Sequence, residues 1–350
     1  MTHTIELGLD TFGDVTAGPD GQPLSQAQSI RNLVLQGELA DQVGLAFIGV
    51  GEHHRPDFSV SAPEVVLAAI AARTTRIHLG SAVTVLSSDD PVRVFERFST
   101  LNAISSGRVE VIVGRGSFTE SFPLFGYDLA NYEELFEEHL SLFVELLKQE
   151  AVTWKGRLRA PLTDQLVYPP SEGTLYTWVG VGGSPESVVR AAHYGLPLML
   201  AIIGGSPARF APYSQLYRDR LEKFGKPLQP IGAHSPGHVA ETDEQAKNEL
   251  WPHYAGLMNR IGRERGWPPM TRPQFDQLRS PRGALVVGSP QEVAEKILFQ
   301  HDLFGHDRFL AQMSVGTLPH AQALRSIELF GTEVAPIVRA EIARRRAAAA

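Results

Sequence analysis

Residues 177–197 read TWVGVGGSPESVVRAAHYGLP, and this segment joins a strand, a glycine turn, a helix and the start of the next strand. The alternating valines before the turn are apolar and β-branched, which favours a buried strand. Gly182 and Gly183 permit a tight turn, and Ser184 followed by proline is typical of a helix N-cap. The segment therefore predicts a complete unit of strand, turn and helix.

The turn in this unit also predicts an anion site. The free N–H groups of a first helical turn, with the helix dipole behind them, favour a phosphate. However, the same three residues, Gly-Ser-Pro, occur at 183–185, 205–207 and 288–290. Local sequence alone therefore leaves open which of the three turns holds a phosphate, or whether each is an ordinary strand-to-helix connection.

Strand and helix patterns alternate along the rest of the chain. The predicted strands are Ile5–Phe12, Leu45–Val50, Ile77–Leu86, Val109–Val113, the valine strand at 177–181, Leu198–Ile203, Ile231–Ala240 and Arg308–Val315. Such alternation favours parallel strands joined by crossover helices. We therefore predict an α/β protein with a single (β/α)8 TIM barrel that spans residues 1–350.

Two long interruptions of this pattern are predicted as insertions, at residues 116–176 after the fourth strand and at 241–282 after the seventh. The short segment Gly283–Gly288 is assigned to the crossover after the seventh strand, and the tail at 344–350 is predicted to fray. A doubly wound sheet is the alternative fold, but its G-x-G-x-x-G fingerprint is missing after the first strand.

One helix start inside the first insertion carries a recognisable signal. Asn131 and Glu134 have the spacing of a capping box, with Asn in place of Ser or Thr. We therefore expect their side chains to cap the helix that begins there.

Composition excludes several functional classes. The 350 residues are 43% hydrophobic and carry a net charge of −7, so no basic face for nucleic acid is indicated. The absence of cysteine excludes disulfides, thiolate nucleophiles and cysteine-ligated metals. No run approaches the roughly 18 apolar residues of a membrane span, and residues 1–10 lack a signal-peptide pattern. We expect a cytoplasmic protein with no membrane or nucleic-acid partner.

In a barrel of this kind, chemistry takes place where the strands end. The residues at the predicted carboxyl ends are Asp10, Thr11, Glu52 to His54, Ser81 to Val83, Arg115, Gly182 to Ser184, Gly204 to Ser206, His234 and Ser314. We expect these residues to surround one shared mouth.

Three interpretations compete for that mouth. A metal-dependent hydrolase would use its histidines and carboxylates, but Glu52, His53 and His54 are adjacent and cannot all point inward from an extended backbone, so no metal is predicted. A binding protein with a chemically idle mouth is the second interpretation. The third is a phosphorylated cofactor held by the Gly182–Ser187 turn and by Arg115, whose fixed fork suits phosphate. In that case His53 would exchange a proton near neutral pH.

Several segments, taken in order, resemble the bacterial luciferase-like, flavin-dependent monooxygenase superfamily. They are EHH at 52–54, LGSAVTVL at 79–86 followed by DPVR at 90–93, SGR at 106–108, GRG at 114–116, LFGY at 124–127, and residues 182–197. Each segment is common on its own, whereas their order and spacing over nearly the whole chain are specific.

The resemblance implies a barrel that binds FMN, takes reduced flavin from a separate reductase and uses oxygen to oxidise an aldehyde or another small apolar substrate. It also implies a homodimer. His53 matches the family's catalytic histidine, which would assist proton transfer at the flavin.

The resemblance also assigns the residues around the cofactor. The positions that hold the phosphate in the family are matched or adjoined by Arg115, Gly182, Gly183, Ser184 and Ser187. The family often has a non-proline cis peptide in the wall behind the flavin ring. That wall is matched or adjoined by Ser81, Ala82 and Val83.

Two positions depart from the luciferases. Tyr132-Glu133 stands where they place a second phosphate-binding arginine, and Gly114 stands where their α subunit has a cysteine. Relatives that use a deazaflavin and transfer hydride without oxygen share much of the scaffold. A deazaflavin-dependent oxidoreductase and a flavin-binding protein without catalysis therefore remain the alternatives. The inserted segments would select the substrate, and they contain no pattern that identifies it.

Overall fold

Strands and helices alternate along the part of the chain that the computed structural model describes, residues 4–18 and 20–349. The strands are β1 (Glu6–Thr11), β2 (Phe47–Val50), β3 (His78–Ser81), β4 (Thr84–Val85), β5 (Val109–Gly114), β6 (Val152–Trp154), β7 (Leu162–Gln165), β8 (Tyr176–Val181), β9 (Leu198–Ala201), β10 (Ile231–Val239), β11 (Val286–Gly288) and β12 (Arg308–Ser314). The helices are α1 (Gln26–Gln42), α2 (Pro63–Ala71), α3 (Pro91–Ile104), α4 (Ser121–Phe125), α5 (Tyr132–Leu146), α6 (Pro185–Tyr194), α7 (Ala211–Lys223), α8 (Asp243–Arg265), α9 (Arg272–Leu278), α10 (Pro290–Phe304), α11 (His320–Leu329) and α12 (Ala335–Ala349).

Eight of these strands close into a barrel. In order around the ring they are β1, β2, β3, β5, β8, β9, β10 and β12, and β12 pairs with β1 to complete it. Every neighbouring pair in the ring is parallel. The predicted (β/α)8 barrel is confirmed, and each predicted strand contributes one strand to the ring.

The third predicted strand is interrupted where the sequence shows only a continuous β-branched run. Gly80 pairs with Glu110 before the break and Thr84 pairs with Val113 after it, so four residues advance against three on β5. The Ala82–Val83 peptide between the two pairings is cis. This break separates β3 from β4.

The opposite, amino-terminal end of the barrel is closed by a buried ion pair. The Arg308 guanidinium donates two hydrogen bonds to the Glu110 carboxylate, at 2.6 and 2.9 Å, and lies between the rings of Phe47 and Trp178. Burial opposes ionisation of Glu110, but Arg308 and further hydrogen bonds lower its pKa to about 2. The ion pair therefore satisfies the buried charges at the amino-terminal end, while the carboxyl-terminal end remains available for chemistry.

The predicted insertions acquire structure of their own. Residues 151–173 contain the antiparallel hairpin of β6 and β7, and residues 241–282 contain α8 and α9. The segment assigned to the seventh crossover forms β11, which pairs with the end of β10 outside the ring. The tail is helical through Ala349, and Ala350 lies outside the described residues, so its fraying stays a prediction. None of the helices described here is both long and apolar enough to cross a membrane.

The predicted capping box at the start of α5 is wrong. The Asn131 side chain makes no capping hydrogen bond, although Asn131 does occupy the N-cap position. Instead, Arg157 from the inserted hairpin binds both the Asn131 amide oxygen and the Glu134 carboxylate. A tertiary ion pair has replaced the local cap.

Candidate active site

The carboxyl ends of the barrel strands surround one open cavity of about 410 Å³. This volume lies within the roughly 300–1,000 Å³ of small-molecule pockets. Of the predicted site residues, those that line it are His53, Ala82, Val83, Arg115, Gly182, Gly183, Ser184 and Ser187. Residues that the sequence scattered over more than 130 positions therefore meet at one mouth.

His53 lies in an aromatic corner of this cavity. Its ring packs against Phe58 and Phe118, with centroid distances of 4.2 and 5.0 Å. Its Nδ1 lies 3.3 Å from the Glu120 carboxylate, which fixes the orientation of the ring. Burial opposes ionisation of Glu120, but the hydrogen bond with His53 and backbone N–H groups outweigh it and lower its pKa. Glu120 thus provides a stable anion behind the histidine.

The neighbours of His53 serve a structural purpose. His54 turns away from the cavity and its Nε2 lies 2.9 Å from Glu52 Oε1. The other oxygen of Glu52 accepts a hydrogen bond from the Val85 N–H at 3.2 Å. This arrangement ties the loop after β2 to β4. Within residues 4–18 and 20–349, no group of three or more histidines or carboxylates is placed to hold a metal ion.

The glycine turn after β8 has the geometry of an anion cradle. Ser184 is the N-cap of α6, and its hydroxyl accepts from the Ser187 N–H at 3.3 Å. Gly183 has a φ of +127°, which favours glycine, and the space where a Cβ would project from Gly182 or Gly183 is open. The Ser184 hydroxyl also donates to the exposed Glu186 carboxylate at 2.8 Å, which a bound phosphate would displace. The helix N-terminus and the open space beside it together suit a phosphate.

The basic groups beside this cradle are two arginines that share a carboxylate. Arg115 forms an ion pair with Glu133, and Arg190 approaches the same carboxylate at 3.7 Å. Arg190 also donates to the Ser187 hydroxyl at 3.3 Å. Sequence reasoning missed Arg190, although it lies three residues after Ser187 on a predicted helix and therefore on the same face.

The other two Gly-Ser-Pro turns do not line this cavity. The Ser289 N–H, which would be the donor at the third turn, already donates to the Asp243 carboxylate at 2.7 Å. The Asp243 carboxylate would repel a phosphate at this turn. The Ser184 turn is favoured over the Ser289 turn because it lines the cavity, whereas the Ser289 N–H already donates to a carboxylate.

The wall formed by Ala82 and Val83 explains one departure from the luciferases. A Cβ added at Gly114 would lie 2.8 Å from Val83 Cγ2, so a larger residue would collide with the wall. Ser81 does not line the cavity, because its hydroxyl bridges the backbone N–H and C=O of Ile112. Ser81 thus links β3 to β5, and its contact with a cofactor stays a prediction.

Two further polar residues line the wall opposite the cradle. Asp10 Oδ2 lies 2.6 Å from His234 Nδ1, and both side chains are buried. The Phe12 ring lies between the two histidines of the cavity, 5.6 Å from His53 and 6.1 Å from His234. The cavity thus contains two separate histidines, each with its own carboxylate.

The chain belongs to the luciferase-like monooxygenase family, whose model matches residues 11–307. It is similar to limonene 1,2-monooxygenase of Rhodococcus erythropolis, with 28% identity over 343 residues that cover 93% of this chain and 87% of the relative.

Two solved structures share the fold. One is the oxygenating constituent of 3,6-diketocamphane monooxygenase from Pseudomonas putida in complex with FMN, with a TM-score of 0.75 and 19% identity over 95% of this chain and 98% of the other. The second is an F420-dependent secondary alcohol dehydrogenase with an F420-acetone adduct, with a TM-score of 0.72 and 17% identity over 96% and 99% of the two chains. At these identities the likeness concerns the fold alone.

Proposed function

We propose that this protein is an FMN-dependent monooxygenase that uses reduced FMN and oxygen to oxidise a small organic substrate such as an aldehyde. The observation that carries the proposal is that His53 and the Ser184 turn open onto the same cavity. One end of that cavity suits a phosphate and the other presents a proton-exchanging ring. A phosphorylated redox cofactor that spans the mouth would use both.

Different residues of the chain would bind the cofactor and transfer protons. Arg115, Ser184 and the first-turn N–H groups of α6 would hold the phosphate, and Val83, Ile112 and Met199 provide apolar wall around the ring. When bound, reduced FMN supplies two electrons, so that one oxygen atom enters the substrate and the other leaves as water. With an aldehyde, the product is the carboxylic acid.

His53 would donate or accept protons in this reaction. The contact with Glu120 holds Nδ1, and among the described residues His53 Nε2 has no hydrogen-bond partner. That nitrogen is therefore free to give or take a proton at the bound molecule. Phe58 and Phe118 shield the ring from water, which strengthens its interactions with a ligand.

A deazaflavin-dependent hydride transfer is the second candidate, and the Arg115–Glu133 ion pair favours it. A phosphate monoester such as FMN approaches two negative charges, whereas the phosphodiester of a deazaflavin cofactor carries one. Because Glu133 neutralises part of the arginine charge, the dianion loses more by its presence. A flavin-binding protein without catalysis would share the same cavity.

Anaerobic titration of the purified protein with FMN, reduced FMN and a deazaflavin cofactor, followed by oxygen uptake, separates these candidates. Binding of reduced FMN with oxygen consumption and oxidation of an added aldehyde supports the monooxygenase. Hydride transfer to or from the deazaflavin supports the second candidate. A complex with FMN that neither consumes oxygen nor transfers hydride indicates a binding protein.

Three expectations from the family resemblance belong to this proposal. A separate flavin reductase would supply the reduced cofactor, the protein would form a homodimer, and it would work in the cytoplasm. Size-exclusion chromatography with light scattering measures the oligomeric state. The need for a reductase is tested by measuring activity with and without an added flavin reductase and a nicotinamide donor.

A further inference from the structure

The pair Asp10 and His234 occupies a defined place relative to the phosphate cradle. The cradle and Arg115 follow β8 and β5, and the strands diametrically opposite in the ring of eight are β1 and β12. Asp10 lies on β1 and His234 on β10, so their side chains meet across β12. A ligand anchored by its phosphate at the cradle and extending across the mouth would reach this wall with its far end.

Each member of the pair has one polar atom without a partner. Asp10 Oδ1 and His234 Nε2 are buried and make no hydrogen bond to any residue that the structure describes. Leaving such buried atoms without a hydrogen bond is unfavourable in general. Both residues line the cavity, which gives a bound molecule access to this part of the wall. The two orphaned atoms therefore point to a polar group on the ligand.

The chemistry of that group follows from the donors and acceptors. The second oxygen of Asp10 accepts hydrogen bonds, and His234 Nε2 accepts in the neutral ring or donates when the ring is protonated. A carbonyl or an imide, with its neighbouring N–H and C=O, matches this set. The neighbouring lining is apolar, since Ala201 is the strand partner of His234 and also lines the cavity.

We propose that Asp10 and His234 form a second polar subsite that binds a carbonyl or imide group of the molecule in the cavity. Two sources share this chemistry: the imide edge that flavin and deazaflavin rings have in common, and the carbonyl of an organic substrate. The proposal rests on the proposed function in assuming a ligand that extends from the cradle. Asp10 orients the histidine, and His234 makes the specific contact.

A pair of variants separates ligand binding from structural support. In H234N the amide stands near the position of Nδ1 and keeps the bond to Asp10, but the Nε2 position is lost. In H234Q the amide nitrogen stands near Nε2. If the cofactor ring is the source, we expect FMN affinity to fall roughly threefold to tenfold in H234N and less in H234Q. The same change at an exposed histidine of α6, H193N, serves as the control and leaves FMN affinity unchanged.

The imidazole nitrogens of the wild-type protein give a second readout that does not depend on the folding of a variant. In a ¹⁵N-histidine NMR spectrum, the His234 Nε2 resonance is assigned by its absence in H234N. A shift on addition of FMN identifies the cofactor ring as the source. A shift that appears only when decanal is added to the FMN-loaded protein identifies the substrate carbonyl.

The results that would contradict the polar subsite differ from those that would contradict the proposed monooxygenase function. If the Nε2 resonance moves with neither FMN nor decanal, and H234N binds FMN like the wild type, the subsite is overturned and the pair is structural. If the wild type binds no FMN, the proposed monooxygenase fails. The resonance is then followed with a deazaflavin and with decanal alone, and its constancy with both would overturn the subsite as well.

Discussion

Arg115 and Glu133 form an ion pair at the mouth of the barrel, on the side where a phosphate is expected. Glu133 is largely exposed and sits in the first turn of α5, so its side chain is able to rotate away. Arg190 leans toward the same carboxylate. The carboxylate thus contacts the basic groups that the proposed cofactor phosphate would use, and we expect it to compete with that phosphate.

Removing the charge of Glu133 should strengthen phosphate binding. For E133Q we expect FMN to bind roughly threefold to tenfold more tightly, since the amide keeps an oxygen for Arg115 while the repulsion of the phosphate is lost. Fluorescence titrations at low and high salt measure this, and the gain should shrink as salt rises. Riboflavin, which lacks the phosphate, should bind both proteins equally.

Glu134 offers a matched control for this experiment. It lies in the same helical turn, but its partner is Arg157 of the inserted hairpin. E134Q removes the same charge and should leave FMN affinity close to that of the wild type. Equal FMN affinity in E133Q and E134Q would show that Glu133 does not compete with the phosphate.

The cradle itself is tested by S184A and R115A. We expect both to weaken FMN binding, R115A by roughly tenfold or more because a charge-assisted bond is lost. S184A also removes the N-cap of α6, which generally costs about 1 kcal/mol of stability. S289A removes the equivalent cap of α10 and should leave FMN affinity unchanged. Weaker FMN binding in S289A, with S184A unaffected, would move the phosphate to the third turn.

The role of His53 is tested by H53A at saturating cofactor. We expect FMN affinity to be retained and substrate oxidation to fall roughly 10²- to 10⁴-fold, the usual contribution of a general acid or base. E120Q should give a smaller loss, because it weakens the anchoring of Nδ1 and leaves the His53 ring in place. H54A, outside the cavity, is the comparison variant. Full oxidation rates in H53A would remove the proposed proton role.

Asp14 should make the stability of the protein depend on pH. Burial raises the pKa of Asp14 to about 7. Its Oδ1 accepts from the Gly316 N–H at 2.8 Å, and its Oδ2 has no partner among residues 4–18 and 20–349. In the unfolded chain this carboxyl ionises near 3.8, so between pH 4 and 7 the unfolded state loses a proton that the folded state keeps. Its contribution to stability is therefore present at low pH and is lost as the pH rises to about 7.

The variant D14N removes this titration. Relative to wild type, D14N should gain stability as the pH rises from 4 to 8, by an amount on the order of 4 kcal/mol or less. Urea unfolding at several pH values measures the difference, and the exposed D20N is the control. A difference between D14N and wild type that stays constant with pH would contradict the raised pKa.

The buried pair at the amino-terminal end should affect stability alone. R308M leaves the Glu110 carboxylate without its main partner, and breaking such a pair generally costs about 3–5 kcal/mol. R325M, which removes an exposed arginine paired with Glu241, should cost less than about 1 kcal/mol. Urea unfolding measures both. A folded R308M with unaltered stability would show that the pair carries little energy.

Local patterns were sufficient to predict the barrel. Strand and helix periods depend on which face each residue buries, and the Ser184 N-cap follows from the first turn of one helix. The third strand shows the limit of this reasoning. Its β-branched run gives no signal for the break at Ala82–Val83, which is defined by its pairing with β5.

The candidate site was predicted where residues sit at strand ends and missed where partners come from elsewhere. Glu120 lies in a loop with no periodic signal, and its contact with His53 requires the folded mouth. Likewise, Ser184 and Ser289 share the local sequence Gly-Ser-Pro, and tertiary structure distinguishes them: the Ser184 turn lines the cavity, whereas the Asp243 carboxylate accepts from the Ser289 N–H. The capping box failed for the same reason, since Arg157 comes from a distant hairpin.

A crystal structure of the protein grown with FMN locates the cofactor without reference to any substrate. We expect the phosphate to contact Ser184 and the Arg115 guanidinium, with the ring between the Ala82–Val83 wall and His53. A phosphate bound at the Gly288–Ser289 turn, or a ring on a surface that does not include His53, would contradict the proposal.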